Sequence, residues 1–483
     1  MKISLLYPRW TGEYGIAAHF ARKASIWPPL NLAYISAVAE KQGHEAMIID
    51  GEAERMSLEK MVSKTEEFNP DLIGITATTP FFHIVVDLAK KIKQSQKLKY
   101  APIVLGGSHI TVLGKDGFKD CFDYGFLGEA ENSFPLFLDR FQGGGDISDV
   151  RGMLYRNNGE VRSTGYAESV SDVDSLPFPA RHLLKMDKYK MGTLEGIKKF
   201  ATVMTTRGCP FKCIFCSTKV FGSNVRRHSP ERVVEEIKYC ADNYGTEHFM
   251  FLDDTLTLSR KHILEICDLI DRERLGITFE GSTRADLVDE ELIARMRNSG
   301  LIRISFGLES VDENIRITMK KQVPLESYET ANKLTNKYGI ETLNSCMIGL
   351  PGESVETIRA TLRFLRKSRE IKQANISIAV PYPGTELYEM AKNGEHGLKL
   401  EIDDFSKFRR YNSAVMQVGD LSPEALIDLQ KEAIASIYLA PWRWKPMISK
   451  SGLFGAALNF KRLIESLIKG NTRFLTNKQL GIN

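Results

Sequence analysis

The sequence predicts an α/β protein in three parts: a doubly wound parallel sheet, a partial (β/α)6 barrel and a helical C-terminal region. Three observations predict it. Short apolar runs alternate with amphipathic segments from the first residues to about residue 400. Some runs, such as DLIGITAT at 71–78, are apolar at consecutive positions, as strands covered on both faces are. The alternation breaks near residue 142 and resumes with a longer period from Ala201.

In the first part KISLLYP, EAMIID, DLIGITAT, APIVLGG and the start of FDYGFLGEAENSFPLFLDRF read as five strands. PLNLAYISAVAEKQG and FFHIVVDLAKKIKQ read as helices between them. Such sheets bind ligands outside the carboxyl ends of their strands. Those ends carry Tyr7, Thr76, Thr78, Gly106, Gly107, Gly128 and Glu129. Tight turns are the alternative use of the glycines.

QGGGDISD interrupts the pattern, MLYRNNGEVRST reads as a hairpin turning at Asn158-Gly159, and DSLPFPARH is a proline-marked linker. From Ala201, ATVMTT, HFMFLDD, ITFEGST, LIRISFGLES, TLNSCMIGL and ANISIAVPYPG read as strands, separated by helices such as PERVVEEIKYCADNY, KHILEICDLIDRE and ETIRATLRFLRKS. Six βα units predict an open barrel, whose working groups stand at the carboxyl ends of its strands. The expected divisions are 1–142 and 195–400 for the two α/β parts, 143–194 for hairpin and linker, and 401–483 for the helical C-terminal region.

That last region contains the helix SPEALIDLQKEAIASIYL and then turns basic, with Leu453, Ala457, Phe460, Ile464 and Leu467 striped at helical spacing. Packing against the barrel is one reading. A helix on a membrane surface, delivering a lipid-like substrate, is the other.

Composition excludes several classes. A net charge of +4, with 26% charged and 43% apolar residues, is that of an ordinary globular chain, and nucleic acid is not an expected partner. No apolar run is long enough to span a bilayer, and MKISLLYPRW runs straight into a strand pattern. The expected location is therefore cytoplasmic, with peripheral membrane contact open through the C-terminal region.

The seven cysteines do not form a disulfide framework. Four stand singly in apolar segments, as small buried hydrophobes do. Cys209, Cys213 and Cys216 share the loop RGCPFKCIFC directly after the first strand of the second part. A structural zinc site wants a fourth ligand at fixed spacing, and neither His228 nor Cys240 supplies one. A thioredoxin-like pair does not explain the third cysteine. A 4Fe–4S cube held by three thiolates keeps one iron open for an exchangeable ligand.

Cys209-x3-Cys213-x2-Cys216, with Phe215 before the last cysteine and TTRGCPFKC ahead, resembles the signature of radical S-adenosylmethionine (SAM) enzymes. FLDDTLT, STRADLV, ISFGLES, MIGLPGES and PYPGTELY resemble that family's later strand ends in order. The resemblance implies that the open iron chelates SAM and that its cleavage gives a 5′-deoxyadenosyl radical. It places Phe215, Asp253, Asp254, Arg284 and Glu309 around SAM, although LDDT replaces the family's usual Gly-Gly-Glu.

The first part, through WPPLNLAYISAVAEKQGHEAMIIDGE, NPDLIGITAT, VLGGSHIT and GFLGEAENSF, resembles the flavodoxin-like cobalamin-binding domain that precedes many radical SAM barrels. The residues at its strand ends, Tyr7 to Glu129, together with Ser108 and His109, become the implied cobalamin contacts. Many such domains carry Asp-x-His-x-x-Gly with a cobalt-ligating histidine; here the stretch reads DGEAER, and His109 is the other histidine to consider.

The resemblance implies an anaerobic methyltransferase acting on an unactivated carbon of a small-molecule or lipid-like substrate. Its implied cofactors are a 4Fe–4S cluster, SAM and cobalamin, and its implied electron donor a flavodoxin or ferredoxin. A cyclase or oxidase on the same fold and a non-catalytic cobalamin or redox sensor are the alternatives.

Overall fold

The computed structural model describes residues 1–11, 25–191, 196–197, 199–217, 220–438, 440 and 442–443. The basic stripe Leu453–Leu467 lies outside the described residues. The chain forms two compact units. One comprises Met1–Pro210, Thr218–Leu252 and Arg272–Ile277, the other Phe211–Ser217, Asp253–Asp271 and Thr278–Asn483.

The first unit begins with β1 (Lys2–Tyr7), α1 (Leu30–Lys41), β2 (Glu45–Asp50), α2 (Leu58–Phe68), β3 (Leu72–Thr76), α3 (Phe82–Gln94), β4 (Ile103–Gly106), α4 (Ser108–Leu113), β5 (Tyr124–Phe126) and α5 (Ser133–Gly143). The five strands are parallel in the order β2-β1-β3-β4-β5, which is the flavodoxin-like order. Their direction of winding reverses at β1, so the crevice of the sheet opens beside the carboxyl ends of β1 and β3. β3 is buried at every residue, as its unbroken apolar run predicts. Leu6, Ile49, Ile73, Ile75, Leu88, Ile103 and Leu105 belong to the core beneath that crevice.

The hairpin consists of β6 (Met153–Asn157) and β7 (Glu160–Ser163). Asn158 and Gly159 take φ values of 51° and 83°, the positive pair that a type I′ turn demands. It is not confined to a connecting stretch: β6 pairs antiparallel with β5 and widens the first sheet to seven strands. Burial of Met153 and Leu154 explains the attachment, since an isolated two-stranded hairpin is only marginally stable.

The same unit holds the parallel pair β8 (Phe200–Val203) and β9 (His248–Phe251), connected through α6 (Pro230–Tyr244). Ser229 caps α6 by accepting from the Arg232 N–H, and Gly245 ends it in the left-handed region. Between β8 and α6 a two-residue antiparallel ladder pairs Thr206 with Arg227 and Arg207 with Arg226.

The second unit carries the remaining strands of the barrel type: β10 (Thr278–Thr283), β11 (Leu301–Glu309), β12 (Glu341–Ile348) and β13 (Gln373–Ile378). They are parallel and paired in chain order. Helices α7 (Arg260–Arg272), α8 (Glu290–Asn298), α9 (Glu313–Thr318), α10 (Leu325–Lys337) and α11 (Val355–Lys367) alternate with them. Along β12 burial alternates residue by residue, so one face is packed and the other more open. The C-terminal region contains α12 (Glu386–Asn393), a short antiparallel ladder of β14 (Leu398–Leu400) with β15 (Met416–Val418), and α13 (Pro423–Tyr438). Gln430 of α13 donates to the Ile376 carbonyl of β13 at 2.9 Å. Among the described residues no helix is long and apolar enough to cross a membrane.

Candidate functional site

A cavity of about 480 Å³ opens in the first unit at the carboxyl ends of β1, β3, β4 and β5, where the winding of the sheet reverses. Tyr7, Thr76, Thr78, Gly106, Gly107, Ser108, Gly128 and Glu129 all line it. The Thr76 hydroxyl accepts from the Asn31 side-chain amide at 2.9 Å. The Thr111 hydroxyl donates to the Gly107 carbonyl and accepts from the Gly128 N–H, both at 3.0 Å, tying two turns of the wall together.

The two adjacent glycines have different duties. Gly107 has φ +97°, and a Cβ there would lie 2.5 Å from the Ala77 carbonyl oxygen. A Cβ on Gly106 would meet nothing within 4 Å, so its absence leaves open space beside the wall.

His109 is the one expected contact that does not line this cavity. It is fully buried, stacks on Phe82 at 3.9 Å between centroids, and places Nδ1 3.3 Å from the Thr79 hydroxyl. Burial, with Lys119 adding to it, lowers its pKa to about 3, so the imidazole is a neutral core group. The first turn of α4 thus carries this side chain into packing with Phe82 and Thr79 and not to the cavity wall.

The DGEAER stretch places Glu52 where Asp-x-His-x-x-Gly has histidine. Its carboxylate is buried and accepts from the Trp10 N–H at 3.1 Å, the Thr11 N–H at 3.0 Å and the Thr11 hydroxyl at 2.6 Å. Those bonds fasten the segment after β1. Neighbouring Asp50 accepts from the Glu52 and Ala53 N–H groups and the Tyr189 hydroxyl; burial raises its pKa to about 6 despite them.

Glu129 has a different role from a simple wall residue. Its two carboxylate oxygens pair with Arg207 at 2.8 Å and Arg226 at 2.6 Å, and Arg207 also pairs with Glu131 at 2.8 Å. The side chains of Glu129, Arg207 and Arg226 are almost completely withdrawn from solvent. Arg207 and Glu131 line the cavity too, and sequence reasoning did not find them. Their signal lay in the charges of GEAE and TTRGC, but nothing in one sequence pairs residues 78 positions apart.

The cysteine loop follows the Thr206–Arg207 ladder. Gly208 takes φ +93°, and a Cβ on it would stand 2.5 Å from the Asn224 carbonyl oxygen. The Cys209 N–H donates to the Gly222 carbonyl at 3.2 Å, and the Cys216 N–H to the Cys213 carbonyl at 3.0 Å, a single turn. Cys209 and Cys213 are partly exposed and Cys216 is exposed, whereas Cys240, Cys267 and Cys346 are buried. Burial pushes those three thiols up, Cys240 and Cys267 to about 11. Cys121 is partly exposed as well but stands alone in sequence, so the accessible thiols that share one loop are the three spaced for a cluster.

In the second unit Phe215, Arg284 and Glu309 are brought into one neighbourhood by Lys321. Lys321 Nζ lies 2.8 Å from Glu309 Oε1 and 6.0 Å from the Phe215 ring centre, and its carbonyl accepts from Arg284 Nη1 at 3.0 Å. Arg284 also lies over the Phe211 ring at 3.8 Å and holds Asp286 with both edges of its fork, at 3.0 and 2.7 Å. A substrate carboxylate at Arg284 therefore competes with Asp286. The loop carrying Asp253 and Asp254 is fastened to β10 by the Leu256 N–H to the Ser282 carbonyl, 2.9 Å, and by the Thr257 and Thr283 hydroxyls, 2.6 Å apart. Asp253 is buried; Asp254 is exposed, and partial desolvation raises its pKa.

Residues 203–365 match the Radical SAM superfamily and residues 18–138 the B12 binding domain. The chain is 35% identical over 419 residues to an uncharacterized methyltransferase of Pyrococcus horikoshii, covering 86% of this chain and 88% of the relative. It is 27% identical over 446 residues to the anaerobic magnesium-protoporphyrin IX monomethyl ester cyclase of Cereibacter sphaeroides, covering 88% of this chain and 70% of that one. Its fold is similar to that of the radical SAM methyltransferase TsrM of Kitasatospora setae, solved with cobalamin and a 4Fe–4S cluster, at a TM-score of 0.70 and 17% identity. That alignment covers 90% of this chain and 88% of the solved one. The chain belongs to the radical SAM superfamily, in the group that carries an N-terminal B12 binding domain. It is an enzyme of that class, and its cofactors are a 4Fe–4S cluster, SAM and cobalamin.

Proposed function

We propose that the protein methylates an unactivated carbon of a small-molecule or lipid-like substrate. The observation that carries the reading is the presence, in one chain, of an accessible Cys209-x3-Cys213-x2-Cys216 loop and a cavity at the switch point of a flavodoxin-like sheet. Similarity to an uncharacterized methyltransferase and to a cyclase supports the chemistry but not a substrate.

Cluster, SAM and cobalamin, when bound, supply a carbon-centred radical and a transferable methyl group. The chain's own contribution is holding, orienting and shielding. Cys209, Cys213 and Cys216 would hold the cluster by three thiolates. Phe215, Arg284 and Glu309, gathered by Lys321, form one wall for SAM, and Asp253 and Asp254 offer carboxylates to its polar groups. Thr76, Thr78, Ser108 and the open flank of Gly106 receive the nucleotide tail of cobalamin. Glu52, which stands where related domains carry a histidine, is committed to three donors of the segment after β1. A flavodoxin or ferredoxin delivers the electron, and the reaction runs anaerobically in the cytoplasm.

A cyclase is the second reading, because the Cereibacter sphaeroides cyclase matches nearly the same share of this chain as the Pyrococcus horikoshii relative, 88% against 86%. Incubating the reconstituted protein with candidate substrates and SAM carrying a deuterated methyl group separates the two. Methyl transfer gives a product heavier by the labelled methyl; an unlabelled, ring-closed product refutes it.

A further inference from the structure

The Glu129–Arg207–Arg226 cluster is built more strongly than a cavity wall needs. Two carboxylates and two guanidiniums from four places in the chain neutralise one another, nearly all of it out of solvent. Arg226 also donates to the Val170 carbonyl and the Phe221 carbonyl, both at 2.8 Å. Arg207 lies over the rings of Tyr34 and Phe221, 5.1 and 5.4 Å from their centres. Arg207 and Arg226 are directly paired in the ladder that leads into Gly208 and Cys209. The Gly222 carbonyl that accepts from Cys209 belongs to the same returning segment.

We propose that Glu129 is a positioning residue for the first cluster cysteine. It fixes both strands of the ladder through their arginines, and the ladder fixes the backbone of Cys209. The cavity wall and the cluster loop thus share one ion network, with Glu131 as its second anchor through Arg207. The proposal rests on the reading that Cys209, Cys213 and Cys216 hold the cluster. Removing a charge from the network leaves a buried guanidinium without its partner, which loosens the ladder instead of merely trimming a contact.

The test uses the full-length protein reconstituted anaerobically with iron and sulfide. Wild type, Glu129→Gln, Glu131→Gln and the exposed-site control Glu45→Gln are compared by the rate at which a chelator extracts iron and by the electron paramagnetic resonance spectrum of the reduced cluster. Groups that support metal ligands from outside typically change metal retention by about 10- to 100-fold when mutated. Glu129→Gln, which loses two pairs, is expected to release iron about tenfold faster and to show a broadened spectrum. Glu131→Gln, losing one, falls between it and the control. Extraction rates and spectra of both variants equal to wild type overturn the proposal. If Glu129→Gln does not fold, the Glu131→Gln comparison alone decides. Failure of the wild type to take up a cluster, or equal uptake by Cys213→Ala, instead overturns the underlying reading.

Discussion

Adjacent alanine substitutions at Gly106 and Gly107 should fail in different ways. At Gly107 the new Cβ lies 2.5 Å from the Ala77 carbonyl oxygen and 2.8 Å from both the Ala77 nitrogen and Thr76 Oγ1. Those backbone atoms are themselves bonded, Ala77 N–H to the Gly106 carbonyl at 2.9 Å and His109 N–H to the Ala77 carbonyl at 3.1 Å. The positive φ costs an L-residue about 1–3 kcal/mol, and losing the two hydrogen bonds costs about 1 kcal/mol each. Gly107→Ala is therefore expected to destabilise the first unit by about 3–5 kcal/mol. At Gly106 the backbone is unstrained and the Cβ has empty space, so Gly106→Ala should keep the wild-type melting temperature. The methyl instead enters the space proposed for the cofactor, and overpacking of about 1–3 kcal/mol should weaken cobalamin binding roughly 5- to 150-fold. Thermal unfolding and an absorbance titration with hydroxocobalamin read the two effects. Wild-type affinity in Gly106→Ala would refute the assignment of this cavity to cobalamin; wild-type stability in Gly107→Ala would refute the steric argument.

Stability should also depend on pH through two buried groups with opposite signs. Glu353, buried and accepting from the Gly349 and Leu350 N–H groups, has its pKa raised by burial to about 8. The folded state then keeps a proton that the unfolded chain releases, so stability falls as pH rises from the usual glutamate range through 8. Glu353→Gln should flatten that slope in melting curves taken from pH 6 to 9. His109, with its pKa lowered to about 3, works the other way: stability is lost as pH falls below about 6.5, and His109→Gln should blunt the loss. Glu52→Gln replaces a charged acceptor with a neutral amide, whose oxygen serves the two N–H groups more weakly while its nitrogen turns to the Thr11 hydroxyl, at a cost of about 1.5–2 kcal/mol. Amide exchange at Trp10 and Thr11 should accelerate at least about tenfold, and unchanged exchange would show that Glu52 does not fasten the segment.

The strand ends were legible because buried parallel strands and polar or glycine turns differ sharply in composition. Thr76, Gly106 and Gly128 could therefore be placed at one edge before the order of strands was known. α6, PERVVEEIKYCADNY, begins and ends where its Ser-Pro start and following glycine signal. The packing of His109 was not legible because the sequence shows a histidine after a glycine turn, but not which side of a short helix it occupies. The Glu129–Arg207 pair was hidden for another reason: each charge looks solvated alone, and only tertiary packing buries them together. The hairpin's membership in the first sheet was likewise invisible, since its turn signal fixes local pairing and not the neighbour of its outer strand.

The most direct test of the central claim quantifies 5′-deoxyadenosine and S-adenosylhomocysteine together. The protein is reconstituted anaerobically with iron, sulfide and cobalamin, then given SAM, a strong reductant and a candidate substrate, beside a Cys213→Ala control. A radical methyltransferase forms both products and the control forms neither. Deoxyadenosine without S-adenosylhomocysteine would contradict methyl transfer, and equal product in the control would contradict the cluster itself.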